Sequence, residues 1–516
     1  MGGDLIVIFL QMIIDMKKIG LTIIAVILSL TVYAEDAVLI DGIYYNLVTK
    51  AKIAEVTYKP IRMYGYYKGN IVIPEHVTYN GVEHTVTSIG EEAFQYCDKL
   101  TSVIMPNTIT TIGNRAFCGC YKLISVLIPN SVNVIGVEAF GNCIGMESIT
   151  IGNNVTTIGI HAFNSCWKLA TIDIPNSVTS IGNGAFGDCT SLTSITLGKN
   201  VTAIGSAAFQ FCTKLPKIII PSSVTTIEFD AFQGCDELTS IIIDSTNPKY
   251  DSRDNCNAVI ETQSNKLILG CNNTTIPNSV TTIGYNAFIL CRTLPSITIP
   301  SSVVSIEEYA FSNCIALTSI SIPNSVTEMR DGVFFKCGGL ISVNLPNGLT
   351  KIGRDFFWKC SNLKSIIIPN SVTEIEYDAF RECTSLTTVV LGDNINFVNT
   401  LAFYGCKELT DFYCHTQTVP KTYEDAFNNA FVEYATLHVP ASSIDAYKAT
   451  KPWSDFGKIV ALTDSDPKPS AINTISVDGD NDIKYYTIDG KPINEPRKGI
   501  NIMKRGNGST KKVIIR

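Results

Sequence analysis

Cysteine is the residue type in this chain whose number and spacing are most suggestive of chemistry, because thiols form disulfides, bind metals and act as nucleophiles. The sequence holds 17 cysteines in 516 residues. Thirteen of them follow a phenylalanine by three residues and recur, in two runs, every 23 residues: Cys97, Cys120, Cys143, Cys166, Cys189, Cys212 and Cys235, then Cys291, Cys314, Cys337, Cys360, Cys383 and Cys406. No C-x₂-C pair occurs, which argues against a zinc or iron–sulfur site.

The regular cysteines could form disulfides or a buried ladder of thiols. Many cysteines in a secreted protein favour disulfides. However, equivalent positions in successive coils of a repeat protein would lie about 5 Å apart with parallel Cβ directions, which is poor geometry for a bridge. Free cysteine packs as a small apolar side chain. We therefore predict a reduced, buried ladder stacked beside the phenylalanines.

Other residue patterns with catalytic or ligand-binding potential are weak. The five histidines are scattered, and no G-x-S-x-G, H-E-x-x-H, Walker or dinucleotide-binding glycine motif is present. The aspartates between Asp478 and Asp489 imitate a calcium loop, but Ile483 stands where that loop needs glycine. The net charge of −7 and the pI near 5.4 disfavour nucleic acid or an anionic membrane as partner. The sequence predicts no enzyme, no metal and no cofactor.

The cysteines belong to a repeated unit, exemplified by LTSITLGKNVTAIGSAAFQFCTKL at residues 192–215. A period of this length predicts a solenoid, in which each unit buries its apolar side chains against its neighbours. The S-I-x-I-P part alternates apolar and polar residues like a short strand, and its proline or glycine ends the strand. V-T-x-I-G predicts a second short extended piece. A-F-x-x-C-x-x-L has helix-like spacing and predicts a turn or two of α- or 3₁₀-helix.

The run I-P-x-S-V-T-x-I-G-x-x-A-F-x-x-C resembles the units of BspA-type leucine-rich repeat proteins, and the resemblance covers roughly residues 40 to 460. It implies a right-handed α/β repeat solenoid with a parallel sheet on the concave face and short helical turns elsewhere. It also implies a secreted or surface-exposed bacterial protein that binds other macromolecules. Host extracellular-matrix proteins or other bacterial surface proteins are the partners that the resemblance suggests.

The N-terminus carries the features of an export signal. We interpret residues 1–15 as a gene-model extension and residues 16–34 as a signal peptide cleaved after Ala34. The basic Met16-Lys17-Lys18 precedes an apolar stretch over residues 19–30 and the small-residue motif Val32-Tyr33-Ala34. An uncleaved membrane anchor is the alternative. No other apolar run is long enough to span a bilayer, so the mature chain is predicted to be secreted or on the outer cell surface.

The remaining chain divides by its match to the template. Residues 35–85 are predicted as an N-terminal cap and 86–434 as the solenoid. An irregular insertion at 244–273 contains a loop around residues 247–257. This loop is either a tolerated surface insertion or a ligand contact. Residues 435–462 are predicted as a C-terminal cap, 463–470 as a linker and 471–516 as a small β-module.

The C-terminal module resembles the sorting domains of type IX secretion cargo from Bacteroidota. The resemblance is carried by the runs Tyr485 to Lys491 and Lys498 to Ile502. It departs from those domains at Asn501, where they usually carry an aromatic residue. A terminal β-module without a sorting role is the alternative.

The outward positions of the predicted strands form the candidate binding surface. Between the two inward isoleucines of S-I-x-I-P, one outward column is almost all serine and threonine and the next is mixed. Five of its members form two apolar groups that we predict to contact a protein ligand: Ile219, Ile242, Ile367, Val390 and Tyr413. The alternative is that these residues simply stack well in a sheet.

Three functions are compatible with this surface. The first is non-enzymatic adhesion or protein–protein recognition at the bacterial surface. The second is a structural component of the cell envelope that associates with itself. A glycan-capture module ranks below both, because only Tyr413 supplies an aromatic platform in the outward column. The sequence does not decide the oligomeric state.

Overall fold

The computed structural model describes residues 37–59 and 65–469, and the backbone of four strands between residues 484 and 515. The predicted extension, the signal peptide and Ala34 lie outside the described residues. The chain divides into two compact units, Met1–Thr262 and Gln263–Arg516, called unit 1 and unit 2.

Unit 1 is built almost wholly of short strands. They are β1 (Val38–Ile40), β2 (Ile43–Val48), β3 (Ile53–Thr57), β4 (Lys68–Val72), β5 (His76–Tyr79), β6 (Val82–Ile89), β7 (Lys99–Ile104), β8 (Thr111–Ile112), β9 (Ser125–Leu127), β10 (Val134–Ile135), β11 (Ser148–Thr150), β12 (Thr157–Ile158), β13 (Thr171–Asp173), β14 (Ser180–Ile181), β15 (Ser194–Thr196), β16 (Ala203–Ile204), β17 (Lys217–Ile220), β18 (Thr226–Ile227), β19 (Ser240–Ile243), β20 (Tyr250–Asp251) and β21 (Val259–Glu261). A 3₁₀-helix covers Arg253–Asn255.

Unit 2 repeats the pattern. Its strands are β22 (Lys266–Leu269), β23 (Thr282–Ile283), β24 (Ser305–Ile306), β25 (Ser319–Ser321), β26 (Glu328–Met329), β27 (Ser342–Asn344), β28 (Lys351–Ile352), β29 (Ser365–Ile367), β30 (Glu374–Ile375), β31 (Thr388–Leu391), β32 (Phe397–Val398), β33 (Asp411–Cys414), β34 (Lys421–Thr422), β35 (Thr436–Val439), β36 (Lys458–Ala461), β37 (Lys484–Thr487), β38 (Pro492–Ile493), β39 (Gly499–Lys504) and β40 (Thr510–Ile515). One α-helix, α1, covers Ile444–Ala449, and 3₁₀-helices cover Val432–Tyr434, Ala441–Ser443 and Trp453–Asp455.

Two strands per repeat pair in parallel with the same strands of the next repeat, which makes each unit a solenoid of turns with about 23 residues each. Within each unit the S-I-x strands form a column, here called the strand column. Strands β9 and β11 illustrate it, with Ser125 opposite Ser148 and Val126 opposite Ile149. The T-I strands form the second column. The parallel-sheet solenoid predicted from the sequence is confirmed.

Side-chain alternation along each strand follows from the period of a β-strand. In β13, Ile172 is buried and Asp173 is exposed, and Ile174 after the strand is buried again. The isoleucines of the template therefore form the core, as the sequence predicted. The residues between them face solvent and make up the outward face of the strand column.

The phenylalanine and cysteine of A-F-x-x-C form two parallel ladders in the core. In unit 1 the rings from Phe94 to Phe232 stack with centroids 4.8–5.4 Å apart and nearly parallel planes. After the first cysteine of each run, every thiol donates a hydrogen bond to the phenylalanine carbonyl of the preceding turn, as from Cys143 Sγ to Phe117 O at 3.2 Å. Unit 2 repeats the bond, as from Cys337 to Phe311 at 3.0 Å. The predicted burial of these cysteines beside the phenylalanines is confirmed except at Cys291, which is half-buried.

The predicted short helix at A-F-x-x-C is wrong, because the segment consists of consecutive turns. Two residues of each segment have left-handed backbone, such as Glu138 (φ 53°) and Asn142 (φ 58°), and an α-helix cannot contain them. The phenylalanine N–H bonds to the alanine carbonyl of the next turn, as from Phe140 to Ala162 at 2.7 Å. Hydrogen bonding between turns therefore replaces helical bonding within one turn.

The glycine of V-T-x-I-G is explained by close stacking of the turns. A Cβ on Gly136 would lie 2.7 Å from the backbone nitrogen of Asn114. Backbone atoms cannot yield as a flexible side chain can, so a larger residue would push two turns apart.

Tyrosine closes the N-terminal end of the stacked rings in unit 1. The Tyr67 ring lies 4.6 Å from that of Phe94, and its hydroxyl donates to the carbonyl of Thr57 at 2.7 Å. Strands β1, β2 and β3 form an antiparallel meander, and β3 pairs in parallel with β6. The tyrosine-rich segment is thus joined to the solenoid, and its strand β4 adds one member to the strand column by pairing with β7.

The irregular insertion of unit 1 is held closely to the preceding turns. The Asn247 amide donates to the carbonyls of Pro221 and Val224 at 3.0 and 2.9 Å, and Tyr250 and Cys256 are buried. Strands β20 and β21 pair antiparallel within it. Residues 250–261 therefore form an antiparallel hairpin, and Asn247 ties its start to the preceding turn.

Residues 436–461 of unit 2 cover the C-terminal end of its core. Strands β35 and β36 continue the strand column in parallel, and Trp453 is buried with its indole N–H bonded to the Pro420 carbonyl at 3.2 Å. Farther on, β37 to β40 form an antiparallel sheet in the order β38-β37-β39-β40.

Candidate functional site

The outward face of the strand column is the most extensive regular surface of both units. Its hydroxyl column is half-buried or exposed throughout, with Ser125, Ser148 and Thr171 among the exposed members. Many threonines just before it donate to the main chain of the preceding turn, as from Thr193 to the Ala170 carbonyl at 3.1 Å. The hydroxyl column is therefore uncharged in most turns and is attached to the backbone beneath it.

Ile219 and Ile242 are brought together as predicted. They are register partners on β17 and β19, and their side chains are 52% and 40% exposed. The preceding turns of the same column carry Thr150, Asp173 and Thr196, all exposed. The two isoleucines thus form an apolar spot bounded by polar side chains on one side.

The second predicted group is wrong in one member. Val390 is register partner of both Ile367 and Tyr413, but it is buried, with 2% of its surface exposed. Ile367 and Tyr413 are only half-buried. Val390 therefore cannot contact a ligand in this structure.

Tyr413, the register partner of Val390 on β33, makes contacts of its own within the fold. The Tyr413 ring stacks on the His438 ring with centroids 4.2 Å apart, and His438 lies 3.1 Å from the Asp411 carboxylate. Burial, together with the negative charges of Asp411 and Asp466, raises the pKa of Tyr413 above its usual range. Tyr413 is engaged within the fold.

The segment predicted as a linker also lies against this face. His415 Nε2 is 2.9 Å from the Pro467 carbonyl, and Pro469 is buried. The Thr463 N–H and the Asp466 carboxylate close a turn at 2.6 Å. Pro467 of the predicted linker therefore contacts the residue that directly follows β33.

A more exposed apolar group lies at the N-terminal end of the strand column of unit 1. Val72, Ile104 and Leu127 occupy equivalent outward positions on β4, β7 and β9 and are 60–63% exposed. We call these three residues the aliphatic row. Ile104 and Leu127 occupy the x position of S-I-x-I-P, so the sequence template already places them on the outward face. Val72 lies in the off-template segment, so only the pairing of β4 with β7 reveals the row.

Metal binding and membrane insertion find no support in the described part of the chain. Nowhere in it do three or more histidine, cysteine, aspartate or glutamate side chains come together as a cation site. None of its helices has the length and apolarity that a membrane crossing requires.

These features define the class: a leucine-rich repeat solenoid with a regular, solvent-facing strand column. The family model for the BspA type leucine rich repeat region matches residues 76–192, 156–264, 260–387 and 350–448. The chain belongs to this family.

Solved structures agree with this assignment. A leucine rich cell surface protein from Faecalibacterium prausnitzii is 26% identical, with 84% of this chain and 96% of that chain covered and a TM-score of 0.52. A leucine-rich repeat protein from Bacteroides ovatus is 28% identical over 83% of this chain and 100% of that chain, with a TM-score of 0.58. The pneumococcal vaccine antigen PcpA, 18% identical over 83% and 99% with a TM-score of 0.50, shares the fold. None of the curated proteins matches the sequence.

Proposed function

We propose that this chain is an exported, non-enzymatic leucine-rich repeat protein that recognises other proteins at the bacterial surface, as an adhesin does. The observation that carries the proposal is the exposed pair Ile219 and Ile242 on a flat, hydroxyl-lined face. Exposed apolar groups with a polar surround are typical of protein contact sites. Membership of the family and the similarity to a cell surface protein support the same function.

The double substitution Ile219→Asp with Ile242→Asp is expected to weaken capture of a protein ligand by at least about tenfold, because two buried carboxylates would replace the apolar contact. The measurement is binding of purified protein to immobilised host matrix proteins and to surface extract of the producing cells. Thr150→Asp with Thr196→Asp, on the same face, is the matched control for added charge. Unchanged capture by the isoleucine double variant, with its melting temperature preserved, would contradict the assignment of this face.

Self-association is the second candidate function, because a repeating flat surface can also pair with a copy of itself. Light scattering separates the two: a monomer at micromolar concentration favours recognition of another protein, whereas concentration-dependent assembly favours a scaffold of the cell envelope. Capture of only self or envelope components in the binding experiment would lead to the same conclusion.

Export is part of the proposal and is supported by the sequence of both ends. The basic residues at Lys17 and Lys18 and the apolar stretch after them have the order of a signal peptide, with cleavage proposed after Ala34. The C-terminal strands β37 to β40 contain the motifs that resemble a Bacteroidota type IX sorting domain. N-terminal sequencing of the protein from the producing cell is expected to give Glu35 first. A retained N-terminus would contradict cleavage, and unaltered export after deletion of residues 471–516 would contradict sorting.

A further inference from the structure

Three lysines run parallel to the aliphatic row of unit 1. Lys68 and Lys99 are register partners on β4 and β7, and Lys122 follows Lys99 by one repeat. All three are exposed. We call them the lysine row. Since neighbouring strands lie about 4.8 Å apart, the row concentrates three positive charges on a chain that is acidic overall.

Among the described residues, no acidic side chain forms an ion pair with a lysine of this row. The contrast is with Lys168, which is two repeats beyond Lys122 and lies 3.5 Å from Glu147. The outward column that contains Ile104 and Leu127 carries an acidic residue, Asp173, two repeats after Leu127. The lysine row thus faces solvent without an ion pair, and its one sequence-adjacent carboxylate is that of the exposed Asp98.

Between the two rows lies a polar strip that can bind a peptide backbone. Asn70, Ser102 and Ser125 are register neighbours on β4, β7 and β9, with Ser102 and Thr101 both donating to the Asn70 side-chain oxygen at 2.9 and 2.8 Å. Each lysine is separated from the aliphatic residue of its turn by four or five residues along the chain. For Lys68 and Val72 on β4 this is about 13 Å. An extended peptide lying over the polar strip would project its alternate side chains toward the two rows.

The dimensions favour a peptide over a second copy of this chain. A stable protein–protein interface buries about 800 Å² on each partner, which three aliphatic side chains do not supply. Charge complementarity selects acidic side chains for the lysine row. In unit 2 a non-repeating segment already contacts the end of a strand of this column, since His415 Nε2 lies 2.9 Å from the Pro467 carbonyl.

We propose that the lysine row and the aliphatic row together bind an extended segment of a partner protein that carries acidic residues along one edge and aliphatic residues along the other. The inference rests on the proposed function of the strand column as a protein-binding face, and it names the chemistry of the partner. It places this contact on strands β4, β7 and β9, away from Ile219 and Ile242.

Fluorescence anisotropy with the labelled peptide Glu-Leu-Glu-Leu-Glu-Leu and the full chain tests the proposal. We expect saturable binding that weakens with added salt, because exposed charges are screened. Lys68→Glu with Lys99→Glu, and separately Ile104→Ser with Leu127→Ser, should each weaken binding by at least about tenfold. Val134→Ser with Ile160→Ser, which removes two exposed aliphatic side chains of unit 1 outside the strand column, is the matched control and should leave peptide binding unchanged.

The outcomes that overturn the proposal are distinct. Equal binding of the peptide Lys-Leu-Lys-Leu-Lys-Leu would show that charge does not select the partner. Equal binding of Glu-Ser-Glu-Ser-Glu-Ser would show that the aliphatic row contributes nothing. Absence of saturable binding, while matrix capture through Ile219 and Ile242 persists, would refute this surface and leave the proposed function standing. Circular dichroism of each variant verifies that the solenoid is folded.

Discussion

Raising the pH from about 9 to about 10 is expected to lower the free energy of unfolding of this protein by roughly 6 kcal/mol, because its core cysteines resist ionisation only while they are buried. Burial raises the pKa of Cys143, Cys166 and Cys189 well above the ordinary value of about 9, and that of Cys235 to about 12. A negative charge on a neighbouring thiol would raise the pKa of each of these cysteines further.

The sign of the effect follows from proton binding in the two states. Below about pH 9 the folded and the unfolded chain both hold the thiol proton, so the contribution to stability is fully present. Above it the unfolded chain releases the proton and the folded chain does not, and stability falls until the folded pKa is passed. Each buried thiol then lowers the free energy of unfolding by up to about 1.4 kcal/mol per pH unit, and by about 1 kcal/mol between about pH 9 and about pH 10. The six consecutive cysteines from Cys120 to Cys235 together lower it by roughly 6 kcal/mol over that interval, which is comparable to the whole stability of a typical domain.

Urea denaturation followed by circular dichroism between about pH 8 and about pH 10 measures this slope. Cys166→Ala with Cys189→Ala should reduce the slope by about 2.7 kcal/mol per pH unit. Leu169→Ala is the control, because it opens a cavity in the same core without removing a thiol and should lower stability equally at every pH. A slope that is the same in the cysteine variant and in the unaltered protein would contradict the prediction.

Replacement of one stacked ring is expected to have the second largest effect. Phe163 is buried between Phe140 and Phe186, with ring centroids 5.4 and 5.2 Å away. Phe163→Ala should lower the free energy of unfolding by about 3–5 kcal/mol, since it removes a large buried side chain and leaves a cavity. The loss affects two interfaces at once, because each turn of a solenoid is stabilised by both neighbours.

Phe229→Ala provides the matched control for this substitution. Phe229 lies in the same unit but its side chain is 59% exposed, so its removal should cost less than about 0.5 kcal/mol. Urea denaturation at neutral pH compares the two. A loss below about 1 kcal/mol for Phe163→Ala would mean that the neighbouring turns close the cavity and that the ring stack contributes little.

The positions of the strands and of the core were predictable from the sequence, because a strict period leaves few alternatives. Inward and outward residues of S-I-x-I-P alternate as any half-buried strand requires, and this alone places Ile172 inside and Asp173 outside. The burial of the cysteines followed from their equivalent places in successive turns. The helix predicted for A-F-x-x-C failed because spacing does not show that Glu138 and Asn142 adopt left-handed backbone.

The candidate surface was only partly predictable. Ile219 and Ile242 are 23 residues apart, which is one repeat, and are therefore neighbours on the outward face. This spacing can be read from the sequence alone. The repeat predicts neither the burial of Val390 nor the contact of His415 with Pro467, which is distant in sequence and follows no repeat. The aliphatic row depends on β4, which lies outside the template and pairs with β7 through a shifted register. Periodicity thus determined the repeating fold, whereas the ends of each strand column were decided by tertiary contacts, because there non-repeating chain covers or extends the surface.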